Sequence, residues 1–112
     1  MKKIILVAII TVCAFSFGYA QVYWLHGHAM KSSGTYLNGW TIKCGNGTYG
    51  SAVAQSPNGS WAFPYSLHPG TGSYTLTADS AGMNTLYSGD FFYNVYSEYL
   101  DLGIVPFYTA PR

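Results

Sequence analysis

Short runs in which apolar and polar residues alternate, separated by turn residues, are the dominant pattern of this chain. Three of these runs are opened or interrupted by glycine: Leu25–Ala29, Gly59–Phe63 and Gly72–Leu76. Alternation with a period of two is typical of strands that bury one face. After residue 20 we find no apolar stripe of useful length with helical spacing. The pattern therefore predicts an all-β domain.

The spacing of these runs predicts an antiparallel β-sandwich of about seven strands. Turn residues recur between the strands, and Asn58-Gly59 is a strong hairpin signal because both residues tolerate positive φ. Two prolines in Val105–Arg112 predict a tail that runs beyond the last strand. The predicted strands are Tyr23–Met30, Thr41–Cys44, Ser51–Gln55, Trp61–Tyr65, Ser73–Ala78, Asp90–Ser97 and Tyr99–Ile104.

The alternation also assigns the faces of the first strand. Leu25, Gly27 and Ala29 share one face, which we expect to be buried. A glycine in the middle of a strand allows a ring from the facing layer to approach closely. We expect one of the three tryptophans to fill this space: Trp24, Trp40 or Trp61.

The first twenty residues resemble a secretory signal. Lys2 and Lys3 precede the apolar run Ile4–Phe17, and Gly18-Tyr19-Ala20 places small residues at the positions that signal peptidase tests. The apolar run is shorter than the roughly 20 residues needed to span a bilayer, so a retained anchor is the weaker alternative. We therefore predict a signal peptide over residues 1–20 and a single secreted, periplasmic or cell-surface domain over 21–112.

The charge of the mature chain excludes several partners. Removal of the leader leaves three basic and four acidic residues, and the net charge changes from +1 to −1. No basic patch is left to neutralise phosphates, so nucleic acid is not an expected partner. We expect no cofactor, because no phosphate-binding glycine loop precedes a helix. Cys44 is the sole cysteine after cleavage, and we expect it to be buried beside Ile42 as a small hydrophobic residue.

Several phrases resemble the carboxypeptidase regulatory-like domains. The phrases are Leu25-x-Gly27-x-Ala29, Leu37-x-Gly39-Trp40-x-Ile42, Asn58-Gly59-Ser60-Trp61-Ala62-Phe63, and Leu67-His68-Pro69-Gly70 followed by Tyr74-Thr75-Leu76. The resemblance covers roughly Leu25–Ala78, and Trp40 departs from it by standing where a small residue is usual. It implies a transthyretin-like β-sandwich, a fold whose relatives include modules of collagen-binding adhesins and starch-binding-like domains.

Histidines provide one candidate site. His26 and His28 lie two residues apart and so share the outward face of the first strand. Paired imidazoles can ligate zinc, copper or nickel, and His68 could join them from a loop. The alternative is a solvated pair of surface histidines.

Aromatic residues provide the other candidate site. The mature chain holds seventeen of them, more than one small core is expected to bury. Exposed tyrosines could bind protein, including a second copy of the chain, or could stack on the rings of a glycan; equally, they could reflect the strand propensity of tyrosine. The candidate ligand or interface residues are Trp24, Tyr87, Tyr93, Tyr96, Tyr99 and Tyr108.

These features favour a binding module over an enzyme. No nucleophile elbow and no close carboxylate pair occur in the sequence, so we assign no catalytic residue. We predict a small non-catalytic module that mediates protein–protein or self-assembly contacts. Carbohydrate binding through exposed aromatic residues and metal binding through the histidines are the alternatives.

Overall fold

The computed structural model describes residues 23–96 and 99–110, so the predicted signal peptide lies outside the described residues. The described chain is all-β, as predicted, with two single-turn 3-10 segments at Gly45–Gly47 and Tyr65–Leu67. Within these residues, no helix has the length and apolar character needed to cross a membrane. The strands are β1 Tyr23–Lys31, β2 Thr41–Cys44, β3 Gly50–Val53, β4 Ser60–Pro64, β5 Gly72–Tyr74, β6 Leu76–Asp79, β7 Leu86–Ser88, β8 Phe91–Tyr93 and β9 Leu100–Tyr108.

Seven of these strands form one nearly closed sheet in the order β3-β2-β6-β7-β9-β1-β4. β5 and β8 form a separate two-stranded sheet. The two ends of the large sheet approach each other, because Gln55 after β3 exchanges backbone hydrogen bonds of 2.8 and 3.2 Å with Ser60 of β4. Pairing is antiparallel except between β1 and β9, which run parallel over Leu25–Lys31 and Leu100–Phe107. The parallel pair corrects the prediction of antiparallel pairing throughout.

One predicted strand is two strands that belong to different sheets. The predicted strand Ser73–Ala78 breaks at Thr75, so β5 pairs with β8 while β6 pairs with β2 and β7. At the break, side chains make the hydrogen bonds that backbone groups make elsewhere in the sheets. The Leu76 amide donates to Ser88 Oγ at 2.9 Å, and the Thr75 hydroxyl donates to Asp90.

The C-terminal third departs furthest from the prediction. The predicted strand Asp90–Ser97 is reduced to β8, and the three-residue β7 was not predicted. The predicted tail from Val105 is wrong in its first half, because β9 continues through Pro106 to Tyr108. Val105 and Phe107 are buried, so the apolar residues of this segment carry β9 along the core.

The buried face of β1 is as predicted, and Trp61 is the ring that fills the space above Gly27. Leu25 and Ala29 are fully buried. A Cβ atom on Gly27 would lie 2.9 Å from Trp61 Cζ2, closer than side chains approach one another. Cys44 is buried beside Ile42, as predicted, and burial raises the pKa of its thiol to about 11.

Candidate functional site: the open edge of β9

Two of the predicted surface aromatics lie in the core. Trp24 and Tyr93 have no exposed surface, so the prediction that they are exposed is wrong. The reason for Trp24 is a β-bulge: Tyr23 pairs with Pro64 and Leu25 with Phe63, so Trp24 is an extra residue that interrupts the alternation. The bulge places Trp24 and Leu25 on the same side of the strand.

Trp24 and Tyr93 contact each other inside the sheet. Their rings meet edge to face with centroids 4.8 Å apart, and Trp24 Nε1 donates to the carbonyl of Tyr49 at 2.9 Å. The Tyr93 hydroxyl is buried and has no hydrogen-bond partner among the described residues. Burial raises the pKa of Tyr93, because desolvation disfavours the phenolate. Neither side chain is accessible to a glycan or a protein partner.

The other four predicted aromatics are separated by the fold. Tyr96 is 91% exposed. Tyr99 is also exposed and immediately precedes β9; its ring meets the Tyr23 ring edge to face, with centroids 5.4 Å apart. Tyr87 pairs in register with Tyr108 at the far end of β9, where both are half-buried. These tyrosines therefore do not form one continuous aromatic face.

The predicted histidine pair lies on the outer face of β1. The rings of His26 and His28 are 5.3 Å apart. His68 stacks on Tyr65 at 4.9 Å instead of joining them. Within the described ranges, no three His, Cys, Asp or Glu side chains lie close enough to hold a metal ion. The structure therefore brings His26 and His28 together but does not bring His68 to them.

His26 links three strands. Its Nδ1 lies 3.4 Å from Asp101 Oδ1 on β9, and its Nε2 lies 3.4 Å from Ser60 Oγ on β4. The order Asp–His–Ser is that of a charge-relay triad, which also needs free backbone donors for an oxyanion. Here the Ser60 amide donates to Gln55 and the Gly59 amide to Asn38 Oδ1 at 2.8 Å. The three side chains connect β1, β9 and β4 through these polar contacts.

The pKa of Asp101 is lowered from its ordinary value by the Gly103 backbone and by His26. The backbone N–H of Gly103, at 2.9 Å from Asp101 Oδ1, makes the largest contribution to lowering the pKa of Asp101, and His26 lowers it further. Asp101 and Gly103 flank an irregularity in the parallel pairing, because His26 faces Asp101 whereas His28 faces Ile104. The link therefore fixes β9 at the point where its register shifts.

Beyond this bulge, β9 presents backbone groups without a neighbouring strand. The Phe107 carbonyl accepts from the Ser32 amide at 3.0 Å, on the β1 side. Because backbone groups alternate in direction along a strand, those of Ile104 and Pro106 point to the opposite side. On that side β7 reaches only Phe107 and Tyr108. Within the residues that the structure describes, Ile104 has no paired residue on that side, so its N–H and carbonyl face an open part of the edge.

A groove of about 280 Å³ runs along this open edge. One wall is the Ser88–Phe91 segment, where the chain leaves β7 for β8, and the other is the Leu102–Pro106 part of β9. Ile104 is 57% exposed. The groove therefore combines a largely apolar lining, which also includes Asp90, with the unpaired N–H and carbonyl of Ile104. An extended polypeptide can complete such a surface by adding a strand.

Pro106 is the signal for this edge in the sequence, although the prediction places it in a tail beyond the last strand. Pro106 has no N–H and is found in sheets mainly on edge strands, because it cannot donate to a ladder. In β9 its nitrogen points away from β1, so the proline removes no hydrogen bond from the β1–β9 pair. No family model, curated protein or solved structure matches the chain.

Proposed function

We propose that this chain is an exported, non-catalytic β module that functions by binding polypeptide along the open edge of β9, and that its first partner is a second copy of itself. The observation that carries the proposal is the unpaired backbone of Ile104 beside the groove between β9 and the Ser88–Phe91 segment. The predicted leader and the resemblance to carboxypeptidase regulatory-like domains are consistent with a secreted binding module of transthyretin-like type.

A second copy is the occupant that fits this edge by symmetry. Ile104 offers both an N–H and a carbonyl, so two copies related by a two-fold axis can exchange both bonds as one antiparallel pair. Each copy then covers the exposed Ile104 side chain of the other. The low charge of the chain, 8% of residues, leaves little repulsion between copies.

Charge substitutions at position 104 test the proposal. Self-association of the wild type is measured by light scattering after size exclusion, from about 10 µM to about 1 mM, which brackets weak pairing. We expect Ile104→Lys and Ile104→Glu each to weaken association at least about tenfold, because like charges face one another across the axis. An equimolar mixture of the two variants should associate again, because the charges are then opposite.

Leu67→Lys is the matched control. Leu67 is 39% exposed and lies in the 3-10 turn after β4, away from β9, so the same charge change should leave association unaltered. A wild-type chain that stays monomeric throughout the range contradicts self-association. Association that survives both Ile104 variants places the contact at another surface, such as the β3 edge, where Val53 is 49% exposed.

A further inference from the structure

A second cavity, of about 370 Å³, opens at one end of the nearly closed sheet. It lies where β1 and β9 end and β7 begins. Its inner surface is formed by Leu86 and Phe107, which are 7% and 1% exposed, and Trp40 and the exposed Met83 also line it. The mouth of a barrel-like sheet is a common position for small-molecule sites, and this volume lies at the low end of their range.

Among the described residues, Lys31 is the one charged side chain that lines this cavity. Its Nζ lies 5.7 Å from the centre of the Trp40 ring, a cation–π distance. In the described part of the chain, the acidic side chains within 4.0 Å of a basic one are Asp101, beside His26, and Asp79, beside Lys43. The cavity therefore combines an apolar surface with an ammonium group that has no carboxylate partner among the described residues.

We propose that this cavity binds a small amphipathic organic anion, with its charged group against Lys31 and its apolar body on Trp40, Met83 and Leu86. The hydroxyl group of Ser32, which also lines the cavity, can donate a further hydrogen bond to the anion. Ile104 does not line this cavity, so the site does not depend on strand addition at β9.

A matched pair of fluorescent probes tests both halves of this proposal. Anilinonaphthalene sulfonate carries the anionic group and an aromatic body, and N-phenyl-1-naphthylamine has the same body without the sulfonate. Each probe is titrated into the full chain and into three variants. We expect one sulfonate probe per chain, and we expect Lys31→Gln to weaken it about tenfold, the loss of one charge-assisted contact. The neutral probe should change by less than about twofold in this variant.

Lys43→Gln is the control for net charge, because it removes the same charge from a lysine outside the cavity that pairs with Asp79. Met83→Asp tests the apolar contact: Met83 is 55% exposed, so the fold tolerates the change, and both probes should bind more weakly. Circular dichroism confirms that each variant is folded.

Three results overturn the proposal. The first is the absence of saturable sulfonate binding to the wild type. The second is equal weakening by Lys31→Gln and Lys43→Gln, which indicates a general charge effect. The third is equal weakening of both probes by Lys31→Gln, which shows that the lysine acts on the shape of the cavity instead of on the anion.

Discussion

Gly50 lies where the two ends of the seven-stranded sheet meet, and replacing it by alanine tests that closure. Gly50 begins β3 with φ of 152°, and the Phe63 ring of β4 covers it. A Cβ atom on Gly50 would lie 2.6 Å from Phe63 Cβ and would overlap the ring. Phe63 is fully buried, so it has no free space into which to move.

Two costs add in this variant. Forcing an extra carbon into a packed interior costs about 1–3 kcal/mol. A side chain in this rare backbone region costs about 1–3 kcal/mol more. We therefore expect Gly50→Ala to lower the free energy of unfolding by about 2–6 kcal/mol, a large part of the roughly 5–15 kcal/mol that a small domain has. Urea denaturation followed by tryptophan fluorescence measures the loss.

Two other glycines separate the costs. Gly47 has φ of 95° and no atom within 4 Å of an added Cβ, so Gly47→Ala measures the backbone cost alone, about 1–2 kcal/mol. Gly70 has neither feature, and its substitution should change stability by less than about 0.5 kcal/mol. If Gly50→Ala is no less stable than Gly47→Ala, Phe63 does not press on Gly50 and the sheet ends are further apart than described.

Two further substitutions probe groups at the site and in the core. The pKa of Asp101 is lowered in the folded chain, so its contribution to stability is present above its ordinary value of 3.8 and is lost as the pH falls through the folded value. Urea denaturation of wild type and Asp101→Asn should therefore differ most above about pH 5 and converge towards about pH 2; a constant difference would contradict the link to Gly103 and His26. Tyr93→Phe removes a buried hydroxyl that has no partner, so we expect it to raise the free energy of unfolding by up to about 1 kcal/mol; a loss of more than about 1 kcal/mol would reveal a partner for the hydroxyl.

Local patterns predicted the strands whose alternation is uninterrupted. β2 begins and ends where predicted. β4 is displaced from its predicted position by only one residue, because Asn58-Gly59 fixes the turn before it. The burial of Leu25 and Ala29 follows from the same periodicity. Pairing could not be predicted in this way. The break at Thr75 depends on Ser88 and Asp90, which are distant in sequence, and a three-residue β7 is too short for alternation to reveal.

The candidate site was harder to predict than the fold. Simple alternation places Trp24 on the outer face of β1. The bulge turns its side chain into the core instead, so this part of the prediction is wrong. The open edge of β9 depends on which strand lies beside it, and that information resides in tertiary packing. Pro106 is typical of an edge strand, but its presence also predicts that Val105–Arg112 is a tail beyond the last strand.

Hydrogen–deuterium exchange of β9 at low and high protein concentration tests the central claim most directly, because it reports the backbone groups that the proposed partner covers. The account predicts that the Ile104 amide exchanges readily in dilute solution and becomes protected as concentration rises. The Val105 and Phe107 amides, which face β1, should be protected in both conditions. An Ile104 amide that is equally protected at both concentrations, or equally unprotected while the chain associates, would contradict strand addition at this edge.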